Sequence, residues 1–512
     1  MNNASKTLLV GWASREITPE RSVALCGQLY ERISKYVRDP LTITALALEE
    51  VDEKGKTCGH SIIVSCDLIA IYRTLLDAVR ERLKHKTISI NVNKVFIFAT
   101  HTHTGPVYGK SDDTTSCSVF TINDKNSSSG ENIITAAECF EFLVDKICEA
   151  IEEAWSNRTP GNISSAMERA EIGFCRMVMY RDGRSIMYGD TNTADFEGLL
   201  GSSDSAIEML FFWNVVKELT GIVINVSCPS QVVEHMSFIS ADFWGETRKE
   251  IRKKLGDNIF VLPITGASGD QSPRDLVRLK RDTVLKSSLT ELNTSKPITD
   301  NSTPGWEMYD ERGLYIIAER ISSAVNNAYT KAEKTIKSIN EYKHVVEEIL
   351  LPIRRVSMQD YKNALEQCNR IVRKYGIDEN IDIESLYSNL HQTAIREEIF
   401  LPYGIVERYK MQQEQEFYKT EIHAVRLNDT VIVTNPFELY LEYGMRIRAR
   451  CKAKQVIIAQ LACDSAGYLP TERAVKGGGY SSIVASNIVG PEGGSLLVAH
   501  TVELVNNMFR MQ

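Results

Sequence analysis

The chain has 512 residues, 43% of them hydrophobic and 25% charged, with a formal net charge of −8. These are ordinary globular values, and the length suits one large catalytic unit with insertions or two to three domains. The acidic balance excludes the basic footprint of a nucleic-acid binder. No apolar run approaches the roughly 18–20 residues of a membrane helix, so no integral membrane association is expected.

Met1 to Lys6 is short and polar and leads straight into Leu8-Leu9-Val10. A signal peptide would need a charged region, an apolar stretch and a small-residue cleavage site, so a cytoplasmic protein is expected. Strands are expected at 10–19, 41–49 and 61–67, and a helix at 74–84. Val95–Ala99 reads as a buried strand that delivers Thr100-His101-Thr102-His103-Thr104-Gly105-Pro106 at its C-terminal end. Residues 109–132 read as a long polar loop. A helix follows at 135–155, then a hairpin from strands 206–214 and 221–228. Asp242 is placed to cap a helix running to Leu255. Residues 258–264 read as a buried strand and 281–304 as a polar loop.

A helix is expected at 306–332, a strand at 345–351 and a charged, helix-rich stretch at 357–416. A hairpin at 422–434 turns on Asn428-Asp429. A helix at 438–450, a strand at 455–462 and a last helix at 495–508 complete the chain. This alternation predicts an α/β fold, a layered mixed sheet with flanking helices. Residues 1–344 and 422–512 would form the catalytic domain, and 345–421 a helix-rich insertion or subdomain. Eleven cysteines are scattered from Cys26 to Cys463 without a CxxC pair. Cys66 and Cys148 lie in apolar segments, where Cys behaves as a small hydrophobe. Reduced thiols are expected rather than a disulfide framework.

Four strands end in dense polar or glycine-rich loops, after Ala99, Val226, Ile264 and Ala462. Polar groups gathered at strand ends make a plausible active-site rim. After Ala99, His101 and His103 stand two apart, so on an extended chain both imidazoles face one side. Neutral imidazole is a common zinc ligand, and a hydrogen-bonded pair of histidines is the plainer alternative. After Val226 come Cys228-Pro229, Glu234-His235 and Asp242. Thiolate, imidazole and carboxylate could each ligate zinc, or Cys228 could be buried packing and Asp242 a helix cap. After Ile264 the sequence TGASGDQSPRD could form an anion-binding concavity. There Ser272 precedes a proline, which holds it extended as an oxyanion donor or nucleophile. Glu438 follows Asn435-Pro436 and reads as a first-turn acid on the helix dipole. Tyr468 and Tyr480 follow the last of these strand ends.

Together these segments resemble the neutral/alkaline ceramidase family, zinc-dependent amidases that cleave N-acyl sphingosine. The resemblance runs collinearly from about Leu8 to the C-terminus. It is carried by Val10-Gly11, Ile17-Thr18-Pro19 and Gly27-Gln28, by THTHTGP against the family's THTHSGP, and by GDQSP against GDVSP. Tyr468, Thr471 and Tyr480 match the family's Tyr-x-x-Thr run and later Tyr, and Gly490-Pro491 its late Gly-Pro. The resemblance implies one zinc ion held by His101, Glu438 and Tyr468. It implies that His103 handles substrate or a proton, and that Ser272, Arg176 and Tyr480 contact the scissile group.

The family's second zinc histidine lies in a His-Pro dipeptide, where this chain has Cys228-Pro229, with Asp242 at the expected spacing downstream. Cys228 would then bind as a thiolate, or His235 would reach in from the next loop, or the metal would be weak, different or absent. The chain also leaves no room after Gly490-Pro491 for the C-terminal β-sandwich of secreted ceramidases. These departures favour a small soluble amide, ester, lactone or sugar derivative over ceramide. A metal-dependent hydrolase is expected. The alternatives are a carbohydrate-active lyase or isomerase on the same scaffold, with His103 and Tyr480 as base and acid, and a non-catalytic binding homologue.

Overall fold

The computed structural model describes residues 6–110, 133–278, 310–377, 383, 386 and 393–510. Of the two polar loops expected at 109–132 and 281–304, only Gly109 and Lys110 fall among these.

The first half of the chain builds an eight-stranded mixed sheet. Its strands are β1 (Thr7–Glu16), β2 (Thr42–Val51), β3 (Thr57–Cys66), β4 (Val95–Ala99), β5 (Thr159–Arg169), β6 (Ala206–Asn214), β7 (Leu219–Val226) and β8 (Phe260–Thr265). Their order across the sheet is β8-β7-β6-β5-β1-β2-β3-β4. The β3/β4 and β7/β8 pairs at the two ends are parallel, and the other pairs are antiparallel. All five residues of β4 are buried, which explains its unbroken apolar run, since a strand covered on both faces has no polar side to display. The two halves of the sheet touch: the Ser65 hydroxyl on β3 donates to the Pro263 carbonyl on the edge strand β8 at 2.7 Å.

The central strand β5 gave little sequence signal. It opens on Thr159-Pro160-Gly161 and alternates weakly, yet it is the seam between the β1–β4 and β6–β8 halves. Pairing on both edges, rather than side-chain propensity, makes it a strand.

Helices α1 (Arg73–Lys84) and α2 (Ala136–Ser156) contribute to the main core, together with the strands β1–β4. Thr135 caps α2 in a reciprocal capping box with Glu138, an arrangement worth about 1 kcal/mol. Helices α3 (Phe243–Leu255) and α4 (Glu311–Ala332) bury their apolar faces with β6 and β7 in a second core.

The second half forms a four-stranded sheet from β9 (Tyr342–Pro352), β10 (Phe417–Leu427), β11 (Thr430–Thr434) and β12 (Gln455–Ala459), in that order. The β10/β11 hairpin turns at Asn428, whose φ of 54° is the left-handed conformation that Asn tolerates. Between β9 and β10 lie the helices α5 (Met358–Lys374) and α6 (Thr393–Glu414). Helices α7 (Leu441–Arg450) and α8 (Pro491–Asn507) contribute to a separate core with this sheet. The architecture is therefore α/β and layered, as the alternation of elements predicts.

Two expectations need correction. Glu438 does not open a helix: Glu438–Leu439 is a two-residue strand, parallel to Tyr468–Leu469, and α7 starts at Leu441. The thiols are not uniformly free either, because Cys26 is disulfide-bonded. Nine other cysteines among the described residues are free. No described helix is long and apolar enough to cross a membrane.

Candidate metal centre and active site

The four strand ends converge. The Thr100 carbonyl after β4 accepts hydrogen bonds from Ser230 Oγ at 2.8 Å and Thr265 Oγ1 at 3.1 Å. The Gln460 amide after β12 donates to the Thr265 carbonyl, and the Cys463 amide to the Ile97 carbonyl on β4. Beneath this rim Asp67, fully buried, accepts from both terminal nitrogens of Arg248 (2.7 and 3.0 Å), from the Thr42 amide and from the Thr100 hydroxyl. That network anchors the base of the histidine loop.

His101 and His103 do meet, with ring centroids 4.9 Å apart and Nε2 atoms 3.4 Å apart. The reason differs from the one expected. The chain is not extended there: His101 has φ 66°, a costly left-handed conformation for a residue with a Cβ. A kink, not the pleat of a strand, aims the rings together. The intervening Thr102 and the following Thr104 turn away and both donate to the Ser240 carbonyl.

His101 Nδ1 lies 2.6 Å from the Ile69 carbonyl. A carbonyl only accepts, so Nδ1 carries a proton, and in the neutral ring Nε2 presents its lone pair. That lone pair faces Glu438 Oε2 at 3.4 Å and His103 Nε2 at 3.4 Å. Ligands about 2.0–2.1 Å from a tetrahedral zinc ion stand about 3.3–3.4 Å apart. His101 Nε2 and Glu438 Oε2 thus stand at the separation that two ligands of one cation have, whereas His103 Nε2 is taken by Gln231.

His103 has its own fixed surroundings. Gln231 Nε2 donates to its Nε2 at 2.8 Å, while Gln231 Oε1 faces Arg176 Nη1 at 3.5 Å. The arginine, a pure donor, sets which end of the amide points at the imidazole. Nδ1 is then the protonated nitrogen of His103. It lies against Gly27 and 3.6 Å from Glu234 Oε2. Burial first, then nearby positive groups, push this imidazole well below its usual pKa, so it is neutral. Gly27 has φ 100°, and a Cβ there would overlap the His103 ring, so only glycine fits.

Glu438 and Tyr468 are brought side by side as paired residues of adjacent strands. The loop carrying Gly269 presses on the same point: the Gly269 amide donates to the Leu439 carbonyl, and a Cβ on Gly269 would overlap the backbone of Glu438. Tyr480 stacks edge-on to Tyr468 at 6.0 Å, and its phenol is pushed up to about 12 by burial and by Glu438. Arg176 is buried, with its guanidinium 5.4 Å from the Tyr468 ring and 2.9 Å from the Gly269 carbonyl. Ser272 is paired in a two-residue strand with Phe174. Its Oγ accepts from Tyr188 Oη and from the Arg274 amide, both at 3.2 Å.

Cys228 is not brought to His101. Its sulfur sits in the apolar core beside α3 and faces the carbonyls of Ile172 (3.6 Å) and Pro229 (3.4 Å). Burial pushes its thiol well up, away from the thiolate form. His235 has Arg274 and Arg32 as electrostatic neighbours, and burial with these cations lowers its pKa to about 4. Neither residue joins His101 and Glu438. Among the described residues, the only trio of His, Cys, Asp or Glu ligand atoms within 4.8 Å of one another is Glu421, His423 and Cys463. Asp242 caps α3, accepting from the Phe243 and Val233 amides.

Gln231 and Tyr188 were missed. Gln231 contacts His103 across 128 residues of sequence, and a lone Gln in a turn carries no spacing signal. Tyr188 reaches Ser272 from a left-handed backbone position, φ 56°, which its sequence neighbourhood does not announce.

No family model and no curated protein matches the chain. Solved structures do. Neutral ceramidase from Pseudomonas aeruginosa superposes with a TM-score of 0.64 and 15% identity, over 98% of this chain and 75% of that one. A structure of ceramidase complexed with C2 superposes with the same TM-score and coverage at 16% identity. Identity this low bears on the backbone alone. The layered mixed sheet with flanking helices is a ceramidase-like fold.

Proposed function

We propose that the chain is a metal-dependent hydrolase of an amide or ester-type bond in a small soluble substrate, working with one zinc-type ion at His101. One observation carries this reading: His101 Nε2, on a ring fixed through Nδ1 by the Ile69 carbonyl, faces Glu438 Oε2 at a tetrahedral-edge distance. His101 and Glu438, with the phenol of Tyr468, would hold the ion and leave a coordination position open, the arrangement of catalytic zinc sites. With Cys228 turned into the apolar core, the position where the resembled family has its second zinc histidine would supply no ligand, and these three residues would hold the ion.

The ion would supply Lewis-acid polarisation of the scissile carbonyl. The neutral His103 accepts a proton at Nε2 by exchanging its Gln231 hydrogen bond for the attacking water, then returns the proton to the leaving group. Arg176 and the Tyr480 hydroxyl donate to the carbonyl oxygen as charge develops on it, each worth roughly 3–4 kcal/mol if well placed. Ser272 already accepts two hydrogen bonds, so its own O–H proton is available to donate toward substrate.

The test uses the full chain with a panel of short N-acyl amines, esters and lactones. His101→Ala is expected to lose one equivalent of metal and all turnover. A His101→Ala protein that remains fully active would overturn the reading. Product formed in heavy-oxygen water separates the chemistries: hydrolysis incorporates solvent oxygen, whereas elimination and isomerisation do not.

A further inference from the structure

A second pair of histidines lies on β9 and β10. His344 places Nδ1 2.8 Å from Ser61 Oγ and 3.3 Å from the His60 carbonyl, and its Nε2 lies 3.0 Å from His423 Nδ1. The outer nitrogen, His423 Nε2, faces Glu421 Oε1 at 3.1 Å and Cys463 Sγ at 3.6 Å. A carboxylate oxygen, an imidazole nitrogen and a thiol sulfur thus lie within 4.8 Å of one another, with His423 and Cys463 buried. A proton between His423 and Glu421 is the rival occupant of that space.

We propose that Glu421, His423 and Cys463 form a second cation site, for zinc or a comparable borderline-soft divalent ion. In tetrahedral zinc the nitrogen-to-sulfur edge is about 3.5 Å and the nitrogen-to-oxygen edge about 3.3 Å, close to the two separations observed. A thiol with an imidazole selects zinc-like ions over magnesium or calcium. His344 plays the outer role usual for ligating histidines, fixing the ring and its tautomer. Binding displaces the Cys463 S–H proton to solvent and forms the sulfur–metal bond. Arg80 holds both oxygens of Glu421, at 2.6 and 3.0 Å, and Arg73 approaches at 3.4 Å. They compete with the ion for the carboxylate, so His423 and Cys463 carry most of the affinity.

The experiment strips the full chain with a chelator and titrates it with cobalt(II), then displaces cobalt with zinc. A thiolate–cobalt charge-transfer band in the near ultraviolet is expected, with two equivalents bound. Cys463→Ser should abolish the band and leave one equivalent, and His423→Gln should do the same. Glu421→Gln should weaken binding by about tenfold or less. Cys228→Ser and His101→Ala should keep the band. Absence of the band in the unmodified protein, or its survival in Cys463→Ser, overturns the proposal. Neither result bears on His101, whose own equivalent is read in the variants that lack Cys463 or His423.

Discussion

His101 and His423 are two buried imidazoles with Nδ1 tied to a neighbour and Nε2 facing a carboxylate. Their settings differ. His101 sits on a left-handed kink past the end of β4, and Arg176, Tyr468 and Tyr480 gather near its neighbour Glu438. His423 sits within β10, fully buried, with the Phe96 ring 4.9 Å away and Arg80 closing over Glu421. The same ligand chemistry therefore has two uses. A loop at a converging strand rim can admit substrate, while a sheet interior can only bind and hold.

The largest expected effect breaks that contrast at the rim. His101→Ala should bring hydrolysis to background, while His423→Gln should leave it within severalfold of the unmodified protein. If both variants lose hydrolysis equally while remaining folded, the division into a working centre and a holding centre fails.

The carboxylates beside the two centres give the next contrast. Asp67 is fully buried and binds Arg248 through both oxygens, whereas the Glu421 side chain is 14% exposed beside Arg80. Removing one partner of a buried pair costs about 3–5 kcal/mol because the other charge is stranded. Arg248→Ala should therefore lose stability in that range in urea unfolding, and Arg80→Ala clearly less. Equal losses would mean that the rim is no better anchored than the sheet.

Gly269→Ala should come next. The added Cβ meets the Glu438 backbone, and overpacking of this kind costs typically 1–3 kcal/mol. Because the displaced residue is Glu438, metal uptake at His101 should fall while the cobalt–thiolate band of Cys463 persists.

How far the sequence reaches also differs between the two regions. The rim was legible because its signals are local: an apolar strand stops, and THTHTGP or TGASGDQSP follows. The His423 cluster was not, because it joins strands 40 residues apart to Cys463 and 79 residues apart to His344. Within the rim, the His101–His103 pairing was foreseen but its backbone was not, since a left-handed histidine has no spacing signature. For Cys228 the sequence left ligand and buried packing both open. Its place in the chain marks it as a ligand position, and only packing decides that the sulfur turns into the apolar core. β5 shows the limit for fold, since pairing on both edges overrides a weak pattern.

The smallest expected effect concerns Gln231, whose amide meets His103 Nε2 at 2.8 Å. Its amide donates to Nε2 and, held by Arg176, cannot reverse without losing that contact. Gln231→Leu keeps most of the volume and removes the hydrogen bonds to His103, Glu234 and Arg176; the one to His103 is worth about 0.5–1.5 kcal/mol net, so kcat/KM should fall by about tenfold or less. Gln231→Glu is the sharper variant, because a carboxylate at the same place accepts instead of donating and draws the His103 proton onto Nε2. Nitrogen-15 spectra of the imidazole should then show the protonated nitrogen changing from Nδ1 to Nε2. With the proton on Nε2, His103 can no longer receive one there, and hydrolysis should fall further in the glutamate variant than in the leucine variant. The reverse order would mean that Gln231 blocks His103 rather than orienting it.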